Sequence, residues 1–221
     1  MELRMSFFRT LKSMFGGVFH QDVYVVYGFE TWEETFAAAC RDVGGGPLNS
    51  YVSDVLGELE VLAVLPGGEE ELGRALKVLC TDVDIAYEST PSVEVRNLLA
   101  GIGGAFAEQL AADDAVERFF ADPRDVFASA IGRSATDRSA IAERARRFGE
   151  DATPDQVRDV LGWLSAVSLL PGGDAAIAAT LGSLPSDADL LGGRPAGEVV
   201  QELIHEIASA FARRLASGEI E

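Results

Sequence analysis

Phe19-His20-Gln21-Asp22 sets an imidazole, an amide and a carboxylate in three successive positions, with Tyr24 and Tyr27 just beyond. A histidine beside a carboxylate is a pair used in general acid–base catalysis. The same polar cluster can also pin one segment onto another, or onto a partner, through hydrogen bonds. The chain has only two histidines, His20 and His205, and neither belongs to a Ser-His-Asp or Cys-His arrangement that the sequence spells out. His205-Glu206 opens like a zinc-protease helix, but Ser209 stands where the second ligand histidine has to be, so zinc is not expected. Asp187, Asp189, Gly192 and Glu198 fall at positions one, three, six and twelve of a calcium loop. Leu191 at position five argues instead for turn and cap carboxylates. Gly101, Gly103 and Gly104 have the composition of a phosphate-cradling loop, yet they lie inside an apolar helical pattern and read as close helix packing. Cys40 and Cys80 sit in apolar segments as small buried hydrophobes, and no disulfide is expected. The residues therefore point to a protein with no catalytic site, no metal and no cofactor.

The elements that would position these residues are helical. Asp54 to Leu76, DVLGELEVLAVLPGGEEELGRAL, returns at Asp159 to Leu181 as DVLGWLSAVSLLPGGDAAIAATL, an offset of 105 residues. The register holds without a gap from Asp54/Asp159 to Ala111/Ala216, so two homologous helical units in tandem are expected, 1–111 and 112–221. In the first unit, Phe7, Phe8, Leu11 and Phe15 space a short amphipathic helix ended by Gly16-Gly17. Residues 22–27, rich in β-branched and aromatic side chains, suggest a short extended segment. Thr31 and Glu34 form a capping-box pattern for the next helix, and Gly44-Gly45-Gly46 ends it. A central apolar helix then runs to Leu65, and Pro66-Gly67-Gly68 hands over to an acidic-led helix to Leu79. The last helix spans about 93–112. The second unit repeats this order with helices near 123–131, 153–169, 173–184 and 196–217, and DRSAIAERARRFG reads as an inserted basic helix. The fold class is mainly α.

Acidic groups outnumber basic ones by 36 to 18, and residues 1–105 and 106–221 each carry a net −9. Such a field repels nucleic acid and anionic membrane and speeds encounter with a basic partner. No run of apolar residues is long enough for a spanning helix, and the amino-terminal stretch lacks signal-peptide character, so a cytoplasmic protein is expected.

LKSMFGGVFHQDVYVVYGFETWEETF, followed by GELEVLAVLPGGEEEL and a distal apolar helix, resembles the small immunity proteins of contact-dependent growth inhibition systems. The resemblance covers about residues 6–100, and its most specific part is Phe19-His20-Gln21-Asp22 with Tyr27-Gly28. Val23 stands where the family pattern has an aromatic residue, and the second unit lacks the histidine motif. The resemblance implies an immunity protein that binds and neutralises a cognate toxin domain, one expected to be basic, by stoichiometric contact. An acidic helical scaffold without a toxin partner is the alternative. Candidate partner-binding or structural residues are His20, Gln21, Asp22, Tyr27, Glu69, Glu70, Glu71, Asp82 and Asp84. The oligomeric state is left open by the sequence.

Overall fold

The structure is a computed structural model that describes residues 6–18, 27–28, 31–46, 50–79, 90–112, 121–131, 138–170, 172, 175 and 193–220. Among the described residues there are nine helices and no strand. They are α1 (Arg9–Gly17), α2 (Trp32–Gly44), α3 (Ser50–Ala63), α4 (Gly68–Leu79), α5 (Pro91–Ala112), α6 (Ala121–Ile131), α7 (Arg138–Asp151), α8 (Pro154–Leu169) and α9 (Ala196–Ser217). No described helix is long and apolar enough to cross a membrane.

The mainly α fold agrees with the periodicity, and the caps explain several boundaries. Thr31 Oγ1 accepts the Glu34 amide at 3.3 Å and starts α2. Thr153 and Gln156 close a full capping box at the start of α8, with Pro154 supplying a preset first helical residue. Gly218, at φ +79°, ends α9 in the left-handed conformation that a side chain would disfavour. Helix α1 ends at Gly17, with Gly16 and Gly17 in its last turn, as the sequence leads one to expect. One expectation needs correction. Tyr27 has helical and not extended backbone, and the rest of the expected extended segment, 22–26, lies outside the described residues.

Helices α3 and α8 cross at the centre and bury nearly every residue along their middles. The crossing is close because glycine stands at the contact on both sides. A Cβ on Gly57 would lie 2.2 Å from the Arg158 carbonyl oxygen, and one on Gly162 would lie 2.1 Å from that of Ser53. Around this pair, α2 packs on α5 and α7 packs on α9, each at a glycine near its carboxyl end. A Cβ on Gly44 would stand 2.4 Å from the Ile102 carbonyl oxygen, and one on Gly149 would stand 2.4 Å from that of Ile207. The basic helix that reads as an insertion is therefore α7, and it stands to α9 as α2 stands to α5. The helix was placed correctly but is not an insertion: its many charges hide that, at the offset of 105, Gly149 falls opposite Gly44.

Helix α1 lies against α3 and α4 and inserts Phe7, Phe8, Leu11, Met14 and Phe15 into the core, each 0–1% exposed. Burying side chains of this size is worth about 1.5–3 kcal/mol apiece. Phe7 reaches α9, with its ring 4.7 Å from that of Phe211.

Candidate functional site

The tightest cluster of charged chemistry lies where α1, α3 and α8 meet. Glu58 is fully buried and Arg158 is 3% exposed. Arg158 Nε donates to Glu58 Oε1 at 3.0 Å, Nη2 to the Phe7 carbonyl at 3.0 Å, and Nη1 to Asp155 Oδ1 at 2.6 Å. The guanidinium also sits 4.9 Å from the centre of the Phe7 ring. Glu58 in turn accepts the amides of Thr10 at 3.2 Å and Leu11 at 2.7 Å. Those amides belong to the first turn of α1, whose own cap residue, Phe8, has no side chain to offer. The α3 carboxylate thus caps α1 across the fold, at the end where the helix dipole favours an anion.

This arrangement uses its charges internally. Burial pushes the Glu58 pKa up, while the Leu11 and Thr10 hydrogen bonds and Arg158 oppose the rise. Asp54, half-buried, and Asp159, on the exposed side of α8, are also raised chiefly by desolvation, with Arg158 pulling both down. Glu60, further along α3, is raised to about 7 by burial and hydrogen-bonds Ser165 of α8.

The candidate partner-binding residues are spread apart. His20, Gln21, Asp22, Asp82 and Asp84 lie outside the described residues. Tyr27 Oη donates to Asp42 Oδ2 on α2 at 2.9 Å, and burial with that hydrogen bond pushes its phenol up to about 12. Glu69 accepts both the amide and the hydroxyl of Ser92, tying the start of α4 to the start of α5. Glu70 is exposed. Glu71 is 4% exposed; its Oε2 meets Arg74 at 2.6 Å, and its Oε1 has no hydrogen-bond partner among the described residues. The acidic start of α4 therefore combines one exposed carboxylate, Glu70, with two engaged in the fold.

The remaining motifs also resolve into packing. Gly101, Gly103 and Gly104 lie in the middle of α5, where Gly101 admits Cys40 and Gly103 admits Leu169. The Cys40 thiol is pushed up to about 12 by burial, so it is held as the unreactive thiol. His205 is exposed on α9. Asp187, Asp189 and Gly192 lie outside the described residues, while Glu198 pairs with Arg194 at 3.5 Å. No group of three or more potential metal ligands occurs among the described residues. The basic cluster of α7 is offset by its own helix: Arg146 pairs with Glu143 and Glu150, and Arg147 with Glu143. Glu143 is held below the usual carboxylate range by its hydrogen bonds to Arg146 and Arg147.

Sequence reasoning missed Glu58 and Arg158. A signal existed: Glu58 keeps helical register with Val55 and Leu62 on the apolar stripe of α3, where a charge is out of place. No family model matches this chain, and neither the curated proteins nor the solved structures hold a significant match.

Proposed function

We propose that the protein is an immunity protein that binds the toxic domain of a contact-dependent growth inhibition effector in the cytoplasm and blocks it stoichiometrically, without catalysis. The observation that carries this reading is the net charge of −18, spread evenly over both halves of a helical chain. An acidic surface speeds association with a basic nuclease-like toxin, and carboxylates can occupy a site built for phosphates. The resemblance of residues 6–100 to such immunity proteins supports the same conclusion. Glu70, exposed at the start of α4, is the carboxylate best placed for contact, with Asp82 and Asp84 as further candidates.

The second reading, an acidic helical scaffold with no toxin partner, is favoured by one observation. Tyr27, Glu69 and Glu71 have partners inside the fold, so part of the resemblance serves packing. Calorimetry against the carboxy-terminal domain of the largest secreted protein encoded alongside, at low and moderate salt, separates the two. Tight one-to-one binding that weakens with salt, with rescue of cells expressing that domain, is the expected result. Absence of both binding and rescue leaves the scaffold.

A further inference from the structure

The central contacts are reciprocal. Gly57 abuts the backbone of Arg158, and Gly162 abuts the backbone of Ser53. At the offset of 105 residues, Gly57 corresponds to Gly162 and Ser53 to Arg158. One position of α3 therefore touches a second position of α8, and the second position of α3 touches the first of α8. Such an exchange is the mark of a two-fold interface built from one surface used twice. Glu60 hydrogen-bonds Ser165, its own counterpart, as residues beside such an axis do. The outer contacts follow suit: α3 meets α9 while α8 meets α5, and Gly44 of α2 against α5 is matched by Gly149 of α7 against α9.

We infer that residues 31–112 and 138–217 are two related units paired about a two-fold axis between α3 and α8, and that the Glu58–Arg158 contact restricts this pairing surface to unlike units. The restriction follows from what identical pairing would do. Two copies of the first unit would set Ser53 in the place of Arg158 and leave Glu58 buried without a cation. Two copies of the second would set Trp163 in the place of Glu58 and take from Arg158 its buried carboxylate, leaving only the exposed Asp155 of its own helix. A buried charge that loses its buried counter-charge is strongly unfavourable, so each unit accepts the other in preference to a copy of itself. The inference is independent of any toxin partner.

The test starts from the full chain carrying a protease recognition sequence within residues 113–120, folded intact and then cleaved. Native mass spectrometry and gel filtration are expected to find the two fragments together as a one-to-one complex, with helical circular dichroism unchanged. Fragments mixed across isotope-labelled and unlabelled preparations are expected to form unlike pairs only. Separation of the fragments, or a substantial population of like pairs, would overturn the inference. In the uncleaved chain, Gly57→Ala and Gly162→Ala are each expected to lower the urea midpoint, and the double variant by less than the sum, because one added Cβ already parts the helices. Gly44→Ala and Gly149→Ala, in separate units, are expected to add. Full additivity at 57 and 162 would count against a shared two-fold contact.

Discussion

Glu58 and Arg158 show how much one buried pair can organise. Removing one partner of such a pair strands the other and costs about 3–5 kcal/mol, so Arg158→Met is expected to lower the urea-unfolding free energy by an amount in that range. Glu58→Gln, which keeps the shape and one acceptor for the Thr10 and Leu11 amides, is expected to lose less. Glu60 yields a pH prediction. Its folded pKa of about 7 lies above the ordinary carboxylate value, so the native state holds the extra proton and the stability this provides is present at low pH. That contribution is lost as pH rises from about 4.5 through about 7. Glu60→Gln is therefore expected to flatten the fall in melting temperature across that window, and an unchanged slope would show that Glu60 titrates normally. The sequence marked Glu58 as a charge within an apolar stripe, but it could not say which cation answers it. Arg158 is separated from Glu58 by 100 residues, not by the repeat offset of 105, so the duplication itself points to the wrong partner.

Most helices were legible because their apolar positions follow the helical period and their starts carry capping residues. Helices α5 and α9 show this well: the stripe from Val95 to Leu110 returns from Val200 to Leu215, and both stripes are buried. What stayed hidden depended on neighbours. The role of α7 became visible only through Gly149, whose backbone touches that of Ile207. The glycines of α5 were correctly read as packing sites, though nothing local named Cys40 and Leu169 as the side chains they admit. The strongest local device is the Thr153–Gln156 capping box, and Thr153→Ala is expected to cost about 1 kcal/mol of stability in denaturant unfolding. Thr31→Ala, whose hydroxyl also engages the Glu34 carboxylate, is expected to cost a similar amount and to loosen α2 first, as read by amide exchange at its amino end.

The whole molecule carries its excess of carboxylates on a fold that buries several of them. Glu58, Glu60, Glu94, Asp54 and Asp159 are all raised mainly by burial. Groups of this kind destabilise the native state as they ionise, and the surface repulsion of −18 charges acts in the same direction. The melting temperature is therefore expected to rise as pH is lowered from 7.5 toward about 5.5, and at neutral pH to rise with added salt that screens the surface. A melting temperature that falls over both changes would contradict this reading. The trans-capping of α1 has one further consequence, for the growing chain on the ribosome. Phe7 emerges 151 residues ahead of the guanidinium that holds its carbonyl. Until Arg158 has left the exit tunnel, Glu58 has no cation to accompany it into the core, so the amino-terminal half must wait, partly solvated, for the other half to be synthesised. A translation pause before residue 158 would prolong that waiting state and expose five large apolar side chains of the first eleven described residues to chaperones or to aggregation.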